Sequence, residues 1–255
     1  MFKQVNFDQF VTFNSDASMK LLSTYNNFLH NAVLTESMRS RSHTFAPSGM
    51  RCQRKSWFRL RGTKPDPVEH PDMTLNFTAT VGTLLHKQIQ SELQKALGDD
   101  WISVSDYLSE HPISYKYQLT IGDYETKVTI DKPPVSFACD GIIRINGKIY
   151  LLEIKTSEYN SWSKLTDAKP HHIDQVTTYG TLLGIQDVLF LYIDRLYGNV
   201  KCFEHNIRYS ESVALLQLMD YIQDMAKKCV APKRLDLSDY MCSNCEYQKS
   251  CKEWG

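Results

Sequence analysis

The chain has 255 residues, of which 42% are hydrophobic and 23% charged, and its 29 lysines and arginines balance 29 aspartates and glutamates. This length allows one large domain, or one core with an accessory lobe. Zero net charge argues against a protein that coats nucleic acid, but it is compatible with an enzyme that has a local basic groove. There is no apolar run long enough to span a bilayer and no signal-peptide pattern, so we expect a soluble, cytoplasmic protein without membrane partners.

The first part of the sequence predicts three helices. Residues 16–39 form the first, with Ser15 or Asp16 as its cap, and a second helix carrying Cys52 follows a loop at Pro47. Prolines at positions 65, 67 and 71 then mark a linker. Residues 81–97 predict an amphipathic helix that Gly98 ends, since apolar residues recur at every fourth position: Leu85, Ile89, Leu93 and Leu97.

The second part alternates strands and helices. Residues 113–130 predict a β-hairpin that turns at Gly122-Asp123, and a second hairpin turns at Asn146-Gly147. Further elements are a helix over 170–183 that Gly184 ends, strands over 188–193 and 200–207, and a helix over 210–228. The second hairpin is apolar on both faces, which is typical of sheets covered by helices.

These patterns predict an α/β fold in which a mixed central β-sheet is flanked by helices. We expect three regions: an N-terminal helical region over residues 1–75, a core over residues 76–230, and a cysteine-rich tail over residues 231–255. Seven cysteines in a chain without an export signal favour free thiols or metal ligation over disulfides.

The second hairpin brings two carboxylates together. With Asn146-Gly147 as the two loop residues, pairs counted outwards place Asp140 opposite Glu153. Because side chains alternate along a strand, Lys155 shares the face of both carboxylates. Two carboxylates roughly 5 Å apart repel each other, so the arrangement calls for a divalent cation bound by oxygen atoms.

Phosphodiester hydrolysis is the chemistry that this arrangement suits. Asp140 and Glu153 would bind Mg²⁺ or Mn²⁺, and the backbone carbonyl of Ile154 could supply another oxygen. Lys155 would orient the attacking water or stabilise the oxyanion. The alternative is a common, weak ion pair between Glu153 and Lys155 at a strand end, although such a pair has no use for a second carboxylate.

Asp140 and Glu153-Ile154-Lys155 after an apolar strand resemble the signature of the PD-(D/E)xK nuclease superfamily. The resemblance implies a restriction-endonuclease-like core, which is a mixed sheet flanked by helices. Cys139 stands where that signature has a proline, but the proline has no chemical role in the mechanism.

Two further motifs resemble the RecB-like branch of this superfamily. Gly82-Thr83-Leu84-Leu85-His86 is similar to its helical motif, in which the histidine is a metal ligand. Gln175 and Tyr179 match its Q-x-x-x-Y motif, which faces the catalytic centre and the DNA backbone. Taken alone, these residues are better interpreted as a buried core histidine, a solvated glutamine and a core tyrosine; the neighbouring motifs favour the functional interpretation.

Cys242-x-x-Cys245, followed by Cys251, has a metal-binding spacing, and three thiolates need a fourth ligand. With Cys52 the set resembles the iron–sulfur RecB-like nucleases, which include the helicase–nuclease subunit AddB and the CRISPR-adaptation exonucleases. The resemblance implies a 4Fe-4S cluster that ties the tail to Cys52 of the N-terminal region. Zinc is the alternative metal.

Basic residues surround Cys52, among them Arg51, Arg54 and Lys55. They could line a channel for the DNA backbone, or they could form an ordinary solvated helix face.

The leading hypothesis is a metal-dependent DNA exonuclease that acts on free ends, preferring single strands, in recombination, repair or CRISPR adaptation. The resemblance allows a bacterial, archaeal or phage origin and a recombination or CRISPR-adaptation protein as partner. An alternative is an accessory subunit that binds or processes DNA ends for a recombinase or integrase, and a third is a zinc-stabilised structural protein. The chain lacks a Walker-type phosphate-binding motif, so we expect no motor activity.

Overall fold

The structure, a computed structural model, describes residues 16–37, 43–67, 73–122, 125–236, 238–243 and 245–254. The chain divides into two compact units, Met1–Arg39 with Pro67–Thr78, and Ser40–Asp66 with Ala79–Gly255. The first unit contains helix α1 (Asp16–Ser37) and the start of α3 (Met73–Leu97). The second unit contains both β-sheets and all the residues of the candidate site.

A five-stranded mixed sheet is the centre of the second unit. Its strands in spatial order are β1 (Trp101–Ile102), β5 (Gly141–Ile145), β6 (Lys148–Ser157), β7 (Asp187–Asp194) and β8 (Val200–Asn206). Strands β6 and β7 run parallel, whereas all other neighbours are antiparallel. A second, antiparallel sheet consists of β2 (Tyr117–Ile121), β3 (Thr126–Ile130) and β4 (Val135–Ala138). The predicted α/β class with a mixed central sheet is confirmed.

Helices cover both faces of the central sheet. Ile143, Leu152 and Ile154 form one buried cluster, against which Ile89 and Leu93 of α3 pack. The opposite side chains of the same hairpin belong to the main core, together with residues of α6 (Pro170–Leu183). The prediction that this hairpin is buried on both faces is confirmed, and it explains why its strands show no polar face.

The remaining described helices are α2 (Gln53–Leu60), α4 (Val104–Glu110), α5 (Tyr159–Ser163), α7 (Tyr209–Lys227), α8 (Tyr240–Ser243) and α9 (Gln248–Glu253). The predicted bounds of α6 are confirmed, and Gly184 ends it with a φ of 76° that favours glycine. Helix α3 begins at Met73 and not at Val81, so the predicted linker is shorter than expected. Asp123 of the first predicted turn lies outside the described residues.

The tail packs onto α2. The Phe58 and Tyr247 rings stack with centroids 5.0 Å apart, and both residues are buried. The Asp66 carboxylate accepts hydrogen bonds from the Lys249 amide at 2.6 Å and the Ser250 hydroxyl at 2.5 Å, at the start of α9. These contacts join residues more than 180 positions apart in sequence. Across the described ranges, every helix is too short or too polar to cross a lipid bilayer.

Candidate active site

The β5–β6 hairpin has the register that its sequence predicts. Asn146 and Gly147 form the turn with φ values of 51° and 77°, and Ile145 pairs with Lys148. Pairing continues to Gly141 and Leu152. The next positions outwards are Asp140, just before β5, and Glu153, which feels the charge of Asp140.

Glu153 is buried between a cation and a phenol. Its Oε1 lies 2.5 Å from the Lys155 Nζ, and its Oε2 accepts a hydrogen bond from the Tyr179 hydroxyl. Burial, and then the negative charge of Asp140, raise the pKa of Glu153 to about 7, although Lys155 and Tyr179 oppose the shift. A buried carboxylate with this pKa gains free energy from any cation that keeps it ionised.

Asp140 meets the histidine of α3 at the same point. Its Oδ2 accepts the Ile154 amide hydrogen at 2.6 Å and lies 3.0 Å from the His86 Nε2. The same nitrogen is 2.8 Å from the Ile154 carbonyl oxygen. A carbonyl oxygen only accepts hydrogen bonds, so Nε2 carries a proton in this arrangement. A cation that displaced this proton to Nδ1 would find three ligand atoms already converged.

The pKa of His86 is raised although the side chain is partly buried. Burial lowers the pKa of His86, but the hydrogen bond to Asp140, the charge of that carboxylate and the Ile154 carbonyl together raise it above its ordinary value.

Gly82, one turn earlier in α3, allows this helix to approach β6, because a Cβ there would lie 3.3 Å from the Thr156 Oγ1.

Helix α6 contacts the other side of the carboxylate–lysine pair. The Lys155 Nζ donates a hydrogen bond to the Gln175 Oε1 at 3.1 Å. Tyr179, one turn later, is 1% exposed and stacks on Phe137 at 5.6 Å. Gln175 and Tyr179 therefore hold the two polar groups of the Glu153–Lys155 pair in place.

Two site residues were missed by sequence reasoning. Within the described part of the chain, His86, Asp140 and Glu125 offer ligand atoms that all lie within 4.8 Å of one another. Glu125 precedes β3, and a carboxylate beside a turn gives no distinctive sequence signal. Gln90 donates to the Asp140 carbonyl oxygen at 2.8 Å and is 4% exposed. Its position four residues after His86, on the same helix face, could have indicated it.

The four predicted cluster cysteines line one small cavity of about 20 Å³. Cys52 caps α2 and accepts a hydrogen bond from the Lys55 amide. Burial raises the pKa of Cys242, and the nearby thiols raise it further: Cys52, Cys245 and Cys251.

The basic residues around Cys52 differ in their surroundings. Arg54 is 5% exposed, and its guanidinium donates to the Pro232 carbonyl oxygen at 2.8 Å and to the Cys251 carbonyl oxygen at 3.4 Å. A buried guanidinium cannot reach a phosphate, so the expectation that Arg54 contacts DNA does not fit this position, and the residue instead braces the tail. Arg51 and Lys55 are partly exposed and lie near carboxylates at 3.8–4.0 Å.

No protein-family model and no curated protein matches the sequence. Among solved structures, the crystal structure of SSO0001 matches with a TM-score of 0.50 and 16% identity, over 89% of this chain and 96% of that chain. At this identity the similarity shows the fold alone, a mixed α/β architecture that is consistent with a restriction-endonuclease-like fold.

An alkaline exonuclease (LHK-Exo) from Laribacter hongkongensis matches with a TM-score of 0.42 and 16% identity, over 76% of this chain and 97% of that chain. The same exonuclease in complex with dAMP matches with a TM-score of 0.37 and 14% identity, over 88% of this chain and 99% of that chain.

Proposed function

We propose that the chain is a divalent-metal-dependent nuclease of the PD-(D/E)xK type that hydrolyses phosphodiester bonds of DNA. The observation that carries this proposal is the convergence of two oxygens on the His86 Nε2, the Asp140 Oδ2 at 3.0 Å and the Ile154 carbonyl oxygen at 2.8 Å, next to the Glu153–Lys155 pair. A core histidine or a surface ion pair would require neither the second carboxylate nor the carbonyl.

In this proposal His86, Asp140, Glu153 and the Ile154 carbonyl hold Mg²⁺ or Mn²⁺, and Glu125 is close enough to add a further oxygen. The bound ion would polarise the scissile phosphate and lower the pKa of a coordinated water. Carboxylate and carbonyl oxygens suit both Mg²⁺ and Mn²⁺, and an imidazole ligand favours Mn²⁺ over the harder Mg²⁺. The pKa of Glu153, about 7, means that metal binding and proton release are linked at this residue.

Lys155 supplies the positive charge of the proposed reaction. Its Nζ is fixed between the Glu153 Oε1 and the Gln175 Oε1, and 22% of its side chain is exposed. An ammonium held in this way needs little reorganisation to bind the attacking water or the charge that develops on a phosphate oxygen. Tyr179 acts through Glu153, since its hydroxyl fixes one carboxylate oxygen and leaves the other for Lys155 or the metal.

The resemblance of the sequence motifs extends the proposal to an exonuclease that acts on free ends, prefers single strands, and works in recombination, repair or CRISPR adaptation with a protein partner. A time course on end-labelled single-stranded, double-stranded and covalently closed circular DNA tests it, in Mn²⁺, in Mg²⁺ and in EDTA. We expect mononucleotides or short products from linear DNA, an intact circle, and no products in EDTA. Cleavage of the circle at the same rate would contradict action at ends.

We also include a 4Fe-4S cluster on Cys52, Cys242, Cys245 and Cys251 in the proposal. All four cysteines line one small cavity, and this supports a metal centre that they share. In a cluster each of the four thiolates would bind one iron. It would attach the tail, residues 231–255, to the N-terminal region around Cys52. Iron and sulfide analysis of anaerobically purified protein tests this, and stoichiometric zinc without iron would contradict it.

A further inference from the structure

Two exposed tyrosines and a partly buried tryptophan form an aromatic group beyond the candidate active site. We name Tyr159, Trp162 and Tyr197 the aromatic platform. The rings of Tyr159 and Trp162 stack with centroids 6.1 Å apart, and Tyr197 meets Tyr159 edge-on at 5.2 Å. Tyr159 is 38% exposed and Tyr197 68% exposed. Large aromatic rings that contact one another but remain in water offer π-faces to a ligand.

The turn that carries Tyr197 is held by a buried carboxylate. Asp194, 1% exposed, accepts hydrogen bonds on Oδ1 from the amides of Leu196 and Tyr197, both at 2.8 Å. Its Oδ2 accepts the Asn199 amide at 2.9 Å. These bonds fix the turn so that Leu196 and Tyr197 point into solvent with exposures of 66% and 68%. A fixed ring loses little conformational freedom when it binds, which favours affinity.

Helix α5, which carries the other two rings, is fixed as well. The Trp162 Nε1 donates to the Tyr192 carbonyl oxygen at 3.1 Å. The Lys201 Nζ lies 4.5 Å from the centre of the Trp162 ring and donates to the carbonyl oxygens of Trp162 and Leu165 at 3.1 and 2.8 Å. The platform therefore rests on two short segments, each anchored to the central sheet.

The platform is continuous with the candidate active site through strand β6. This strand ends at Ser157, two residues after Lys155, and Ser157 pairs with Asp194. Two residues of strand span roughly 7 Å. A cleft of about 310 Å³ separates α5 from the β7–β8 turn, and its lining residues are Glu158, Tyr159, Asn160, Arg195 and Leu196.

We propose that the aromatic platform binds the bases of single-stranded DNA next to the candidate active site. The inference rests on the proposed function and adds to it a base-stacking surface. Every base has a π-face, but bases in a duplex are already stacked, so exposed rings select single strands. Arg195 lines the cleft beside the carboxylate Glu158, and the exposed Lys164 follows α5, so two cations are placed to meet a phosphate backbone.

Fluorescence anisotropy of a labelled oligothymidylate in EDTA tests the inference without cleavage. Alanine substitution of a stacking residue weakens base stacking by about 1–3 kcal/mol per base, so we expect Tyr159→Ala and Tyr197→Ala each to weaken binding about tenfold. Tyr159→Phe and Tyr197→Phe retain the ring and should bind like wild type. Tyr209→Ala, which removes another exposed tyrosine, is the matched control.

A second oligonucleotide separates stacking from charge. An abasic strand of the same length keeps the phosphates and lacks the bases. Wild type should bind the abasic strand about as weakly as Tyr197→Ala binds oligothymidylate. Wild type and Tyr197→Ala should bind the abasic strand with equal affinity. Base stacking at this platform would be overturned if Tyr159→Ala and Tyr197→Ala lost as much affinity for a blunt duplex or for the abasic strand as for oligothymidylate. It would also be overturned if Tyr209→Ala lost as much affinity for oligothymidylate as these two variants do.

The binding assay does not depend on catalysis. If wild type binds oligothymidylate and the variants do not, but no DNA is cleaved in Mn²⁺ or Mg²⁺, then the proposed nuclease function fails and the platform stands. If wild type cleaves DNA while Tyr159→Ala and Tyr197→Ala bind single strands with wild-type affinity, the platform fails and the nuclease stands.

Discussion

Replacing Glu153 by glutamine tests the electrostatics of the site through stability alone. Glutamine has nearly the same shape and cannot ionise, so Glu153→Gln removes the buried charge and keeps the packing. The pKa of Glu153 is about 7 in the folded protein against 4.5 for the free side chain, first because of burial and then because of Asp140. The folded protein therefore binds a proton that the unfolded chain has released over this interval.

The sign of the effect follows from this difference. When the folded-state pKa is raised, the stabilising contribution is complete at pH values below 4.5 and is lost as the pH rises through 7. Because proton binding is linked to folding, the difference between the folded and unfolded pKa of Glu153 lowers the free energy of unfolding by about 2 kcal/mol between pH 5 and pH 8. For a chain of this length the loss corresponds to roughly 5 °C in Tm.

Thermal unfolding by circular dichroism in EDTA, at pH 5 and pH 8, measures the effect. From pH 5 to pH 8, the Tm of wild type should fall by roughly 5 °C more than the Tm of Glu153→Gln. Glu110→Gln, which changes an exposed glutamate, is the control and should behave like wild type. At pH 8, added Mn²⁺ should raise the Tm of wild type above that of Glu153→Gln, because the ion binds the ionised carboxylate. Parallel Tm changes for wild type and Glu153→Gln in EDTA would refute the reasoning.

Three other substitutions probe single contacts. Tyr179→Phe removes the hydrogen bond that lowers the pKa of Glu153, so the acidic limb of the pH–rate profile should move to higher pH; an unchanged profile would contradict the role of Tyr179. Gly141→Ala would place a Cβ 2.7 Å from the Trp101 ring and should lower the urea-derived stability by about 1–3 kcal/mol; unchanged stability would show that the ring can move aside. Cys251→Ala should abolish stoichiometric iron and lower the Tm, whereas retained iron would contradict ligation by this residue.

Local signals explain how much of the fold and of the site could be predicted. Asn146-Gly147 fixes the turn, and a fixed turn determines the register of both strands, so the pairs from Ile145–Lys148 to Gly141–Leu152 followed from a count of residues. Gly184 likewise determined the end of α6. The start of α3 was missed because the residues after Met73 lack a regular apolar period, and the helix starts only two residues after Pro71.

Tertiary placement explains what sequence could not supply. Glu125 lies just before β3 of the smaller sheet, and its distance to His86 depends on how that sheet packs, which no local pattern encodes. Arg54 looks like its neighbours in sequence, yet it is buried because the tail folds over it and offers carbonyl oxygens from Pro232 and Cys251. A charged residue is usually exposed to solvent, but the sequence does not show when a distant segment packs over it.

The central claim is that Lys155 and the adjoining carboxylates carry out metal-dependent DNA cleavage. The hairpin supplies its own control, because Lys148 lies on the same strand, is 47% exposed and pairs with Asp187 at 2.8 Å, away from the site. The decisive measurement is the initial rate of release of labelled nucleotides from single-stranded DNA in Mn²⁺ by wild type, Lys155→Ala and Lys148→Ala. The account predicts a loss of about 10²–10³-fold for Lys155→Ala and a wild-type rate for Lys148→Ala, whereas wild-type turnover by Lys155→Ala would contradict it.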